Sequence, residues 1–201
     1  MRNGTSGPVL ATTGRAPLCW TVIAVDGAGN GHGNCGHAHG ARTVACEGRL
    51  MRFLTDDFVE FIECCAARDV RFLIVGGYAL AAHGYPRATK DLDVWLMIDP
   101  ENAERVVRAL DDFGMGSLGL TAEDFLDPEI VVQLGYPPTR IDLLTSISGV
   151  RFDECWSNRV LVDVGEMSVG FISAEDLISN KRAAGRPQDL VDADKLEEHS
   201  D

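Results

Sequence analysis

Two aspartates one residue apart, Asp91 and Asp93, lie in Lys90-Asp91-Leu92-Asp93-Val94-Trp95-Leu96. In an extended strand, alternate side chains share a face, so both carboxylates point the same way, about 6.6 Å apart along the backbone. Leu92, Val94, Leu96 and Ile98 take the other face, towards a core. Carboxylates on one face repel each other unless a cation lies between them. Hard oxygen donors suit Mg²⁺ or Mn²⁺, with substrate phosphates completing the coordination. A third acid, Asp142, alternates with Ile141 and Leu143 in Arg140-Ile141-Asp142-Leu143-Leu144. If that stretch neighbours the Asp91 strand, about 4.8 Å separates their backbones. Three such acids could hold two divalent ions about 4 Å apart, an arrangement used for in-line displacement at phosphorus. Upstream, Gly76-Gly77 closes the apolar run Phe72-Leu73-Ile74-Val75. Glycines there let backbone N–H groups approach a phosphate, and a following helix start adds positive potential. No G-x₄-G-K-[ST] motif occurs, so any phosphate cradle is not of the Walker type.

Each feature alone has a plainer reading. Asp91 and Asp93 would be solvent-facing acids on an edge strand, Gly76-Gly77 a tight turn, and Asp142 a surface acid. Their combination and spacing favour the metal site. Lys181-Arg182 suits a helix C-terminus. His83 is expected to close a helix or pack beneath a loop rather than act in chemistry. Trp95 and Met97 share the aspartate face, where core packing is the default.

The elements that position these residues follow from periodicity. Thr55 to Arg68 is expected to be helical, capped by Thr55, with Phe58, Phe61, Ile62 and Cys65 on one face. Phe72–Val75 reads as a buried strand, Tyr78–His83 as a short helix and Asp91–Ile98 as a strand. Pro100 opens a helix to about Phe113, with Val106, Val107 and Leu110 inward. A helical turn is expected at Thr121–Leu126. Strands are expected at Ile130–Leu134, Arg140–Leu144, Val160–Val164 and Ser168–Ile172. A Ser173-capped helix and a last one after Pro187 complete the order α-β-α-β-α-β-β-β-β-α-α. That order predicts a mixed α/β (α+β) domain, one sheet flanked by helices, over residues 49–201.

Residues 1–48 differ in kind. The first 50 residues hold 10 of the 21 glycines, and carry 4 basic against 2 acidic residues. They are expected to form a disordered leader. Its Gly31-His32-Gly33-Asn34-Cys35-Gly36 matches a dinucleotide fingerprint in letters only, because no helix and second strand follow. His32, Cys35, His37, His39 and Cys46 lack paired zinc-knuckle spacing. The apolar run from Leu18 to Val25 lacks a signal-peptide cleavage site. Residues 51–201 carry 14 basic and 29 acidic residues within a chain of net charge −13. That balance argues against a broad basic surface for nucleic acid, but not against a nucleotide held through a cation. No run of 18 apolar residues occurs, so no membrane-spanning helix is expected. Adjacent Cys64 and Cys65 diverge on a helix and Cys155 stands apart, so no disulfide framework is expected and a reducing, cytoplasmic setting is the simpler assumption.

The stretch Gly76-Gly77, thirteen residues, Asp91-x-Asp93, and the later Asp142 resembles the polymerase-β-type nucleotidyltransferase superfamily. Arg87-x-Thr89-x-Asp91-x-Asp93, with Lys181, Arg186 and Asp189, is similar to the branch of AbiEii-type toxin nucleotidyltransferases and small uncharacterised relatives. The resemblance covers about residues 70–195. It implies that Gly76 and Gly77 bind the triphosphate and that Asp91, Asp93 and Asp142 bind Mg²⁺ or Mn²⁺. It implies that Asp142 takes the acceptor's proton and that Lys181 contacts the triphosphate. Arg87 and Thr89 would orient the loop before the metal site. The implied reaction transfers a nucleoside monophosphate from a nucleoside triphosphate such as ATP to an acceptor hydroxyl, releasing pyrophosphate. The acceptor is left open among tRNA, protein and a small molecule, and a toxin–antitoxin partner is a possibility of that branch. Two other readings stand beside it: a non-catalytic or antitoxin-like regulatory module on the same fold, and a transferase that modifies a cationic antibiotic, which the acidic domain would attract.

Overall fold

A computed structural model describes residues 42–43 and 54–198. Helix α1 (Asp56–Ala67) starts where Thr55 Oγ1 accepts the Phe58 N–H at 3.4 Å, and it buries Phe58, Phe61, Ile62 and Cys65. This i, i+3, i+4, i+7 spacing is a single apolar stripe. Strand β2 (Phe72–Ile74) follows, then α2 (Gly76–Ala82) and β3 (Asp91–Leu96). Asp99 caps α3 (Pro100–Asp112) by accepting the Asn102 N–H at 3.0 Å, with Pro100 in the first turn. Two short 3-10 turns, Gly116–Leu118 and Ala122–Phe125, lead to β4 (Val131–Leu134) and β5 (Arg140–Leu144). Then come α4 (Phe152–Asn158), β6 (Val160–Val164), β7 (Met167–Phe171), α5 (Ala174–Ala184) and α6 (Pro187–Glu197). A two-residue strand, β1 (Arg42–Thr43), pairs parallel with β6.

The strands form one mixed sheet in the order β1-β6-β7-β2-β3-β5-β4. Two pairings matter most for the site. β3 runs antiparallel to β2 and parallel to β5, with Asp93 opposite Asp142. Leu92, Val94 and Leu96 are buried, as the alternation requires. On the aspartate face, Trp95 is buried too. Its indole donates to the Thr145 carbonyl at 3.3 Å, and Phe152 of α4 meets it edge-on at 5.1 Å. Buried Asn102 fastens the strand ends: it accepts from the Arg71 N–H at 2.7 Å and donates to the Arg71 and Met97 carbonyls. A buried amide with three partners stabilises; left unpaired it would cost about 1–3 kcal/mol.

The expected mixed α/β fold is the observed one. The structure differs from the sequence expectation in four local places. Helix α4 was not expected; it is short and has no side-chain cap, although Phe152, Cys155 and Trp156 keep helical spacing. Strand β3 stops at Leu96, and Ile98 is 38% exposed rather than in the core, because Asp99-Pro100 has already begun α3. Gly76 and Gly77 lie inside α2 rather than before it. Val107 is half-buried, packed at the edge of the core. The expected disordered leader over residues 1–48 lies outside the described residues apart from Arg42–Thr43, which form β1. Among the described residues Cys64, Cys65 and Cys155 are free thiols, and no helix is long and apolar enough to cross a membrane.

Candidate active site

The turn from β2 into α2 explains the two glycines. Gly76 has φ +61°, a left-handed conformation that glycine adopts without strain. A Cβ on Gly76 would stand 2.0 Å from Asp93 Oδ2, and one on Gly77 would stand 2.7 Å from Thr89 Oγ1. The glycines are therefore needed first so that Asp93 and Thr89 can lie against the α2 backbone. Phosphate approach is a separate use of the same bareness.

The three aspartates converge because β3 and β5 are parallel neighbours. Asp91 accepts from Thr89 Oγ1 at 3.0 Å through Oδ1, and from Arg140 Nη2 through Oδ2. Asp142 is gripped at two points by Arg140, Nε to Oδ1 at 2.8 Å and Nη2 to Oδ2 at 2.9 Å, and Gln133 Nε2 donates to Oδ2 at 3.2 Å. Asp93 sits under Gly76. Burial first, then the charges of Asp91 and Asp142, push its pKa up to about 7, against the pull of Arg140 and Lys181. Burial also raises Asp142, only partly offset by its bonds to Arg140 and Gln133. Three acids thus face one guanidinium, leaving a surplus of negative charge. All are hard oxygen donors, so the set is chemically suited to a divalent cation. Among the described residues no three carboxylate, histidine or cysteine groups form a ready-made metal cage, and Arg140 stands between Asp91 and Asp142. Asp91, Asp93 and Asp142 are the residues that would hold the ion.

A second cluster lies where α5 meets α6. Lys181 is 3% exposed, and its Nζ donates to Asp189 Oδ1 at 3.0 Å and Asp192 Oδ2 at 2.9 Å. Asp192, fully buried, also accepts from Arg87 Nε at 3.1 Å and Gln188 Nε2 at 2.9 Å. Burial alone would raise Asp192, but Lys181, Gln188 and Arg87 outweigh it and hold its pKa low. Asp189 Oδ2 lies 3.2 Å from Arg186 Nε, too poorly aligned to count as a hydrogen bond, so this oxygen is left buried without one. Lys181 is therefore a paired, enclosed ammonium. Through Asp192 it ties α6 to Arg87, and Arg87 belongs to the loop that carries Thr89 and leads into Asp91 at the start of β3. His83 lies at the end of α2, with Nε2 2.8 Å from the Ile172 carbonyl, and burial lowers its pKa.

Both clusters border one open cleft of about 890 Å³, whose walls include Gly76, Gly77, Arg140 and Asn180. Two charged site residues had not been singled out from sequence. Arg140 precedes Asp142 by two positions, so strand alternation alone puts it on the aspartate face. Asp192 follows Asp189 by three positions, one turn along the same helix face.

The family described as nucleotidyltransferase of unknown function (DUF6036) matches residues 56–197. The chain belongs to this family. The matched span runs from the start of α1 to the end of α6 and so includes every site residue named above. No curated protein matches. Among solved structures, one similar to this family member is the crystal structure of an antigenic nucleotidyltransferase-like protein from Paracoccidioides brasiliensis, 14% identical, with a TM-score of 0.41, covering 75% of this chain and 77% of that one.

Proposed function

We propose that this chain is a divalent-metal-dependent nucleotidyltransferase that moves a nucleoside monophosphate from a nucleoside triphosphate to an acceptor hydroxyl. The observation that carries this reading is the convergence of Asp91, Asp93 and Asp142 from neighbouring strands beside the Gly76–Gly77 bend, at the edge of an open cleft. Asp91, Asp93 and Asp142 would hold Mg²⁺ or Mn²⁺, which when bound neutralises phosphate charge and favours ionisation of a hydroxyl. The acceptor oxygen attacks the α-phosphorus, the bond from that phosphorus to the oxygen bridging the β-phosphate breaks, and pyrophosphate leaves. Asp142 would accept the hydroxyl proton as the acceptor attacks. Gly76 and Gly77 form the wall along which the triphosphate lies. Thr89 orients the Asp91 carboxylate. Lys181, Asp192 and Arg87 position that loop against the C-terminal helices. Catalysis of this kind rests on positioning and charge neutralisation.

One observation favours a second reading. Arg140 already neutralises part of the acid cluster, as it would in a non-catalytic binding module that keeps the fold for its shape. The deciding experiment supplies labelled ATP, CTP, GTP and UTP with Mg²⁺ or Mn²⁺, with and without cell extract, tRNA and small-molecule acceptors. Pyrophosphate release and label transfer that vanish in Asp93→Ala support the transferase. Silence under every condition supports the module.

A further inference from the structure

Arg140 occupies the place where a cation is wanted. It stands two residues before Asp142 on β5 and faces the same way. Its Nε and Nη2 engage both oxygens of Asp142, and the same Nη2 reaches Asp91 on β3. The side chain is 25% exposed and borders the cleft. We propose that Arg140 is a resident counter-cation, which a divalent ion must displace to reach Asp91 and Asp142.

This inference rests on the metal-dependent reading above. Asp91 Oδ2 and both oxygens of Asp142 are already engaged by Arg140. A divalent ion held by these carboxylates would compete with Arg140 for their oxygens, and the guanidinium charge would repel it. The open cleft gives the displaced side chain somewhere to go: three rotatable methylenes can swing it out without disturbing Leu92, Ile141 or Leu143 behind the sheet. Without a bound ion the acids stay paired with Arg140, and metal uptake becomes an exchange of one cation for another.

The test is isothermal titration of Mn²⁺ into the metal-free full chain, with paramagnetic resonance of the bound ion as a second readout. Asp93→Asn, expected to weaken binding, reports on the site itself. Arg140→Gln removes the competing charge and is expected to bind Mn²⁺ roughly tenfold or more tightly than the parent, the size expected for charge-assisted hydrogen bonds that no longer have to be broken. Arg140→Lys keeps a charge but loses the planar fork, and is expected to fall between the two. It also serves as the informative variant if Arg140→Gln does not fold, as checked by circular dichroism. Equal or weaker Mn²⁺ binding by the folded variants overturns the role of Arg140 and leaves the metal reading standing. If neither the parent nor the variants take up Mn²⁺, the metal reading itself falls.

Discussion

Asp93 offers the sharpest test of the site, because its charge should harm the empty fold while serving the reaction. Its pKa rises from 3.8 to about 7 through burial and the neighbouring carboxylates. That is a shift of about 3 units, and at about 1.4 kcal/mol per unit the ionised form is disfavoured by at most about 4 kcal/mol. Between pH 3.8 and about 7 the folded chain keeps a proton that the unfolded chain has released. Stability from this group therefore falls as pH rises through that window and levels off above it. Asp93→Asn removes the charge at nearly constant shape. In EDTA the variant should be more stable than the parent by roughly 1–2 kcal/mol at about pH 5, a gap that should widen to at most about 4 kcal/mol at about pH 8.5. The same variant should release no pyrophosphate, so lost activity could not be blamed on lost folding. A variant less stable than the parent at about pH 8.5, or a difference independent of pH, would refute the placement of Asp93 among like charges.

Two further substitutions probe the supports of the site. Gly76→Ala meets both a left-handed backbone and a Cβ 2.0 Å from Asp93 Oδ2, so it should cost at least about 2 kcal/mol by thermal denaturation. Gly84→Ala, with φ +99° and open space around it, carries strain alone and should cost less; equal losses would remove the crowding argument. Lys181→Met leaves Asp189 and Asp192 without their shared ammonium and should cost about 3–5 kcal/mol by urea unfolding. Adding Asp192→Asn should recover part of that loss, and strict additivity would mean that the two do not interact.

Much of the fold was readable because local signals agreed with tertiary needs. Thr55, Asp99 and Ser173 sit at the start of α1, α3 and α5, each with its oxygen on a backbone N–H three residues on. Period-two alternation put Leu92 and Val94 inward and the aspartates outward. What stayed hidden depends on pairings that no local pattern encodes. Arg140 acquires its bridging place only because β5 lies beside β3 in the observed register, 49 residues away in sequence from Asp91. Lys181 read as an available charge near a helix end, yet the packing of α5 on α6 encloses it between two acids. Gly76 and Gly77 invited a phosphate argument, but their immediate neighbours are Asp93 and Thr89. Helix α4 escaped notice because its seven residues are too few for periodicity to stand out.

The Arg87–Asp192 bond spans 105 residues of sequence. A nascent chain that has emerged only as far as Gly185 already contains all three aspartates, both glycines and Lys181, but neither Asp189 nor Asp192. Lys181 would then lack both of its partners, and the loop ahead of β3 would lack its clamp. The candidate site is thus finished last, when α6 docks, and synthesis itself delays the moment at which the cleft is complete.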